Sequence, residues 1–166
     1  MITLRIAELK DLISITEIYN EAILTTTATF DTEPKSIQER KSWFESHDKS
    51  HPVIVAEIDG VIAGWGCLSK WSERAAYSKT VENSLYIKAE HRGKGIGKAI
   101  LHELIRIAEH NNFHTIIARI ADGNSISVKM HADEGYSEIG VMREVGKKFG
   151  KMLDVNIMQL ILDNKI

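Results

Sequence analysis

The sequence lacks several features that mark other classes of protein. It has one cysteine, Cys67, which cannot form a disulfide within the chain and indicates a reducing compartment. No stretch approaches the roughly 20 consecutive apolar residues of a membrane-spanning helix. The first residues, MITLRIAELKDL, carry charges where a secretory signal needs an apolar run. We therefore expect a cytoplasmic protein with no membrane partner.

The sequence also has no large excess of one charge and no internal repeat. The formal net charge is −2, which gives no general attraction to nucleic acid or to anionic membranes, so no nucleic-acid partner is expected. The 166 residues contain no repeat, low-complexity tract or linker, and 43% of them are hydrophobic. This length and composition suit one globular domain spanning residues 1–166 with a substantial core.

Hydrophobic patterns alternate between the periods of strands and helices along the whole chain. The predicted strands are 2–7, 52–58, 61–71, 80–87, 114–121, 136–142 and 153–162. The predicted helices are 8–24, one starting at a capping box near Ser36, one after residue 95 and one at 125–134. Asp59-Gly60 predicts a tight hairpin turn between the second and third strands. This order predicts a mixed α/β sheet with helices on its faces.

A glycine-rich stretch, HRGKGIGK at 91–98, lies between a predicted strand and a predicted helix. It does not fit a Walker phosphate loop, because Ala99 follows Lys98, and it does not fit the dinucleotide fingerprint, because Ile100 stands where a glycine is needed. Exposed backbone N–H groups at a helix N-terminus bind anionic oxygen, and Lys94 and Lys98 add positive charge. The alternative is a glycine-rich connection without a ligand.

Arg92-x-x-Gly95-x-Gly97 resembles the acetyl-CoA pyrophosphate loop of the GNAT N-acetyltransferase superfamily. The resemblance is closer still to the phosphinothricin and methionine sulfoximine acetyltransferase family. It rests on five separated motifs in the right order: ATFDTEP, WSERAAYSKTVENSLYI, HRGKGIG, GNSISVKMH and VGKKFGKMLDV. The resemblance implies a mixed, mostly antiparallel twisted sheet of six to seven strands flanked by about four helices.

The resemblance also implies acetyl-CoA as co-substrate and no metal. The backbone of Leu85, Tyr86 and Ile87 would pair with the pantetheine arm. The pyrophosphate would bind the loop, which comprises Arg92, Gly93, Lys94, Gly95, Ile96, Gly97 and Lys98. Asn124 resembles the superfamily asparagine that contacts pantetheine, and it can equally be an ordinary helix N-cap.

Two residues are implied for the chemistry. Glu82 matches the family's general base, which acts directly or through water, while backbone of the strand after it would stabilise the oxyanion. Without the resemblance, Glu82 can equally be paired with a neighbouring cation. His131 occupies the position where the superfamily often has a tyrosine, so its role stays open between general acid, second base and substrate ligand, and a structural role is the alternative.

Substrate recognition is implied for the segment before Glu82. Arg74, with Ala75 and Tyr77 beside it, matches the family arginine that meets the substrate carboxylate; the alternative is a solvated surface charge. Phe30 matches an aromatic wall of the substrate site. Lys147, Lys148 and Phe149 are predicted in a loop that, by resemblance, covers the substrate site at a homodimer interface. Trp65, Trp71 and Cys67 are interpreted as packing residues.

These residues predict an acetyl-CoA-dependent enzyme that acetylates the α-amine of a small amino acid or analogue by direct attack in a ternary complex. The expected class comprises phosphinothricin, methionine sulfoximine and methionine sulfone, and the cellular role stays open between detoxification and amino-acid metabolism. One alternative is a protein-lysine or protein N-terminal acetyltransferase. Another is an acyl-CoA-binding sensor without turnover.

Overall fold

The computed structural model describes residues 1–162 and contains one seven-stranded sheet with four α-helices. The strands are β1 (Ile2–Ile6), β2 (Val53–Ile58), β3 (Val61–Lys70), β4 (Thr80–Ile87), β5 (Thr115–Ala121), β6 (Ser137–Lys148) and β7 (Lys151–Ile161). The helices are α1 (Leu12–Thr25), α2 (Ile37–Glu45), α3 (Ile96–His110) and α4 (Ser125–Asp133). The predicted order of elements is confirmed. Residues 163–166 of the predicted domain lie outside the described residues.

The sheet has the order β1-β2-β3-β4-β5-β7-β6, and all neighbours are antiparallel except β4 and β5. Both faces are covered. The apolar side of α3 packs on one face against Ile54, Leu68 and Ile116, and α1 packs on the other face against Trp65. Because strand side chains alternate between faces, β2 buries Ile54 towards α3 and its neighbour Val55 towards α1.

Two local structures that the sequence predicts, a helix capping box and a hairpin turn, are present. At the start of α2, the Ser36 hydroxyl accepts from the Glu39 amide at 3.2 Å, and the Glu39 carboxylate accepts from the Ser36 amide at 2.8 Å. This reciprocal pair satisfies two amides that the helix start leaves without partners. Between β2 and β3, Asp59 and Gly60 have φ values of 52° and 79°, as a two-residue hairpin turn requires.

The predicted loop between the last two strands is wrong in its extent. Lys147 and Lys148 lie in β6, and only Phe149 and Gly150 form the turn to β7. The sequence 143–146 interrupts the alternation because the strand is bulged there: the register with β7 shifts between Met142 and Gly146. A bulge lets a strand continue past an irregular stretch.

The interpretation of Trp65 and Cys67 as packing residues is confirmed, since both are buried in the cluster under α1. Burial raises the pKa of the Cys67 thiol to about 11, which keeps it protonated and unreactive at neutral pH. In the part of the chain that the structure describes, no helix combines the length and the apolar character needed to cross a bilayer.

Candidate active site

The parallel strands β4 and β5 separate partway along their length. They are paired only at Thr80–Thr115, Val81–Ile116 and Glu82–Ile117, whereas β4 continues to pair with β3 as far as Ile87. The gap beyond Glu82 is a cleft between the two strands, which we call the strand cleft; it is lined by Asn83 to Tyr86 from β4 and by Ala118 to Ala121 from β5. One backbone edge of β4 is thereby opened to a ligand.

A second cavity, the side cavity, adjoins the strand cleft. Its lining includes Glu82 and Phe30 together with the apolar side chains of Met142, Val145 and Val155. The two cavities share five lining residues, which are Ala28, Ser84, Tyr86, Arg119 and Ala121. Glu82, Ser84 and Tyr86 point to the same side of β4, as the period of two predicts. An extended ligand in the strand cleft would therefore reach a small one in the side cavity.

The glycine-rich loop lies where β4 leads into α3. Gly93 and Gly95 have φ values of 75° and 81°, and no atom beyond the adjacent residues lies within 4 Å of the position that a Cβ would occupy at either glycine. The hydrogen bonds of α3 begin with the Ala99 amide donating to the Gly95 carbonyl at 3.1 Å, which leaves the amides of the first turn without intrahelical acceptors. An exposed, positively polarised helix start of this kind fits a phosphate group.

The charged and apolar members of this loop have different surroundings. Lys94 is exposed, and Lys98 lies 4.0 Å from Glu134 with most of its side chain in solvent. The Arg92 Nε donates to the carbonyl of Ile87 at 3.2 Å, which ties the loop to the end of β4. The Ile96 side chain is 1% exposed and belongs to the core under α3. Only the backbone of Ile96 can therefore contact a ligand.

Asn124 and His131 both line the strand cleft from α4. The Asn124 side chain accepts from the Ser127 amide at 3.2 Å, so it is the N-cap of α4. His131 is 3% exposed, and its Nδ1 lies 2.8 Å from the Ser127 carbonyl while its Nε2 lies 3.0 Å from Nδ2 of Asn83. Burial lowers the pKa of His131, which favours the neutral imidazole.

Glu82 is paired with an arginine on β5. Nε and Nη2 of Arg119 donate to Oε1 of Glu82 at 3.1 and 2.9 Å. The Glu82 side chain is 17% exposed, and within residues 1–162 its other oxygen, Oε2, has no hydrogen-bond partner. The cation that the sequence allowed as a neighbour of Glu82 is therefore present, and Glu82 also lines the side cavity.

The Phe30 ring is held in the side cavity by the last hairpin. It lies so close to Gly146 of β6 that a Cβ there would overlap the ring. The buried Lys148 donates to the Thr29 carbonyl at 2.8 Å, and the Tyr19 hydroxyl donates to Asp31 at 2.6 Å. The threonine-rich loop is thereby fixed between α1 and β6.

The structure does not bring every predicted site residue to the cavities. Arg74, Ala75 and Tyr77 are exposed on the short segment between β3 and β4, and none of them lines either cavity. A contact between Arg74 and a carboxylate stays a prediction. Phe149 is also exposed, at the tip of the last hairpin.

Sequence reasoning missed Arg119. Its Cζ lies 5.8 Å from the centre of the Trp71 ring, so Trp71 flanks a charged group, and its interpretation as a packing residue stays a prediction. A signal was available, because Arg119 interrupts the apolar strand IIARIA on β5. Nothing in the sequence specified that β5 would pair with the strand carrying Glu82, so the two charges could not be placed together.

Comparisons with known proteins agree with this geometry. Residues 4–157 match the family model described as an acetyltransferase (GNAT) domain. The chain is 36% identical to the L-methionine sulfoximine/L-methionine sulfone acetyltransferase of Salmonella typhimurium, over 97% of this chain and 95% of that one. The confirmed resemblance thus extends to the relatives that the sequence motifs indicated.

Two solved structures are similar over nearly the whole chain. One is a GNAT superfamily phosphinothricin acetyltransferase from Sinorhizobium meliloti in complex with acetyl-CoA, with a TM-score of 0.94, 38% identity and coverage of 97% of this chain and 88% of that one. The other is a ribosomal-protein-alanine N-acetyltransferase from Brucella melitensis, with a TM-score of 0.93, 34% identity and coverage of 96% and 99%. The opened parallel strands, the glycine loop and these matches agree: this chain is a member of the GNAT acetyltransferase family.

Proposed function

We propose that this protein transfers the acetyl group of acetyl-CoA to the α-amine of a small amino acid or analogue of the phosphinothricin, methionine sulfoximine and methionine sulfone class. The observation that carries the proposal is the position of Glu82. It stands where β4 and β5 separate and lines the side cavity, and its Oε2 has no hydrogen-bond partner among the described residues.

The strand cleft and the glycine loop suit the two ends of acetyl-CoA. The backbone of Leu85, Tyr86 and Ile87 would pair with the pantetheine arm, and the amides from Gly93 to Lys98 would hold the pyrophosphate. The open space at the two left-handed glycines supports this assignment, because it is where phosphate oxygens would approach the backbone. When bound, acetyl-CoA supplies an activated acetyl group on a thioester.

The chain's own residues would then prepare the amine. An aliphatic amine is protonated at neutral pH, and Oε2 of Glu82 takes the proton that the ammonium must lose, directly or through water. The free amine would attack the acetyl carbonyl carbon in a ternary complex, and the carbon–nitrogen bond would form as the carbon–sulfur bond breaks. The nitrogen's second proton would go to the departing thiolate of CoA. The backbone of β4 beyond Glu82 would donate to the carbonyl oxygen during the attack.

The second candidate is an N-terminal protein acetyltransferase. The similarity to the ribosomal-protein-alanine enzyme of Brucella melitensis favours it. The lining of the side cavity argues for the small substrate, because Phe30, Val145 and Met142 wall it with apolar groups. A free amino acid also carries a carboxylate that can meet a cation beside the amine.

A panel of acceptors tests the choice between these functions. The acceptors are phosphinothricin, methionine sulfoximine, methionine sulfone, methionine, a peptide with N-terminal alanine, and buffer alone. Thiol release from acetyl-CoA is followed for each acceptor. We expect release with the free amino acids that carry an oxygenated side chain. Preference for the peptide would replace the proposal by the second candidate, and acetyl-CoA binding without release above buffer would indicate a sensor.

We also propose that the protein is a cytoplasmic homodimer with a role in detoxification. The last hairpin exposes four apolar side chains, Ile139, Val145, Phe149 and Met152, on the element that the family resemblance places at the dimer interface. The sheet draws strands from Ile2 to Ile161, which supports a single domain. Light scattering after size exclusion tests the dimer, with Phe149→Ser as the variant expected to weaken it and Ile13→Ser, on the exposed side of α1, as the matched control.

A further inference from the structure

The two cavities meet at a cationic side chain that takes no part in the steps of the proposed reaction. Among the described residues that line them, Arg119 is the one with a permanent positive charge. Its side chain is 52% exposed and lines both cavities, at the point where they meet. Arg74, which the sequence resemblance connects to the substrate carboxylate, lines neither.

The guanidinium of Arg119 is only partly used by the protein. Nε and Nη2 both donate to Oε1 of Glu82, and within residues 1–162 Nη1 has no hydrogen-bond partner. The Trp71 ring lies 5.8 Å from Cζ and limits where the group can move. Arg119 therefore presents free N–H donors next to a carboxylate whose Oε2 is also free.

An α-amino acid carries its amine and its carboxylate on the same carbon. The group that accepts a proton from the amine and the group that binds the carboxylate must therefore lie side by side. Glu82 and Arg119 are such a pair, at hydrogen-bonding distance from each other. The apolar walls of the side cavity, formed by Met142, Val145 and Val155, are then left for the substrate's side chain.

We propose that Arg119 binds the α-carboxylate of the amino-acid substrate, next to the amine that Glu82 deprotonates. This inference rests on the proposed function, because it requires a free amino acid in the side cavity. A planar guanidinium suits this task, since it donates two parallel hydrogen bonds to a carboxylate. Lysine at the same position keeps the charge and loses this geometry.

The test compares Arg119→Gln and Arg119→Lys with the wild type on two acceptors, methionine sulfone and its α-carboxamide. Loss of a charge-assisted pair raises the KM for the acid by about 10- to 150-fold in Arg119→Gln. Replacing the acid by the amide raises the KM of the wild type by about the same factor, and it raises the KM of Arg119→Gln little further. The substitution and the change of substrate therefore form a non-additive cycle. The KM of Arg119→Lys for the acid falls between those of the wild type and Arg119→Gln. The KM for acetyl-CoA stays at the wild-type value.

Arg74→Gln is the matched control. We expect its loss and the amide's loss to add, because the proposal assigns the carboxylate to Arg119 and Arg74 lines neither cavity. The assignment of Arg119 is overturned if Arg119→Gln and the amide are additive, or if the variant lowers kcat equally on acid and amide, which would mean that Arg119 acts only on Glu82. The same comparison with methionine in place of methionine sulfone tests the substrate's sulfone group. If the Arg119→Gln loss and the loss from removing the sulfone oxygens are non-additive, Arg119 contacts the sulfone and the assignment is also overturned. If the wild type acetylates no free amino acid, the proposed function fails first.

Discussion

The side-chain amide of Asn83 donates from Nδ2 to Nε2 of His131 at 3.0 Å, and the Tyr136 hydroxyl donates to Oδ1 of the same amide at 3.1 Å. Since Nδ1 of His131 donates to the Ser127 carbonyl, these contacts hold the ring as the neutral Nδ1–H tautomer. Both ring nitrogens are thus occupied within the protein. A role for His131 as acid or base requires one of these bonds to break.

This network makes stability depend on pH. Burial lowers the pKa of His131 below its ordinary value of 6.5, so its contribution to stability is fully present above pH 6.5. As the pH falls below 6.5, His131 binds a proton in the unfolded chain and stays neutral in the folded chain. The free energy of unfolding therefore decreases, by at most about 1.4 kcal/mol per pH unit for one group. His131→Gln should flatten this decrease.

Urea unfolding between pH 5 and pH 8 measures the difference between wild type and His131→Gln. His110→Gln, which replaces an exposed histidine at the end of α3, is the control and should keep the wild-type slope. Identical slopes in all three proteins would mean that His131 takes up its proton in the folded state.

Glu82→Gln should lower turnover by about 10²- to 10⁴-fold, because a carboxamide cannot accept the proton of the amine. Its oxygen can still accept from Arg119, so the position of the side chain is kept and acetyl-CoA binding should be unaffected. Steady-state rates and calorimetry measure the two properties. Glu138→Gln, an exposed change on β6, is the control. Near-normal turnover in Glu82→Gln would assign the proton to another group.

Gly95→Val should weaken acetyl-CoA binding. The residue has a φ of 81°, which is strained for a β-branched side chain, and the new Cβ would occupy the open space at the start of α3. Gly60→Val imposes similar strain at a φ of 79° in the turn between β2 and β3, remote from the loop. Calorimetric titration of both variants separates loss of the phosphate cradle from general strain, and equal affinities would remove the loop from the cofactor site.

Gly146→Ala should change the KM for the amino acid and leave the KM for acetyl-CoA unaltered, because the new methyl group overlaps the Phe30 ring that walls the side cavity. Gly140→Ala is a matched change on the same strand, where an added Cβ meets no atom within 4 Å. Comparable kinetics for the two variants would show that Phe30 does not contact the substrate.

Local chemistry predicted most of the fold. Asp59-Gly60 and the Ser36–Glu39 box act through neighbouring backbone, so the sequence contains all that they need. The full length of β6 was missed because its bulge is stabilised from outside, by Asp154 of β7, which accepts from the Glu144 amide at 2.8 Å. Arg119 was missed for the same physical reason, since its partner lies 37 positions away in the chain.

The separation of β4 from β5 divides the sheet into two leaves, one of four strands and one of three, joined by only three registered residue pairs. Every other pair of neighbouring strands shares at least five registered residue pairs, so this seam is where opening costs least. A ligand that pairs with the free edge of β4 would make the backbone hydrogen bonds that β5 does not make beyond Glu82. Cofactor affinity and the rigidity of the whole sheet would then depend on the same hydrogen bonds.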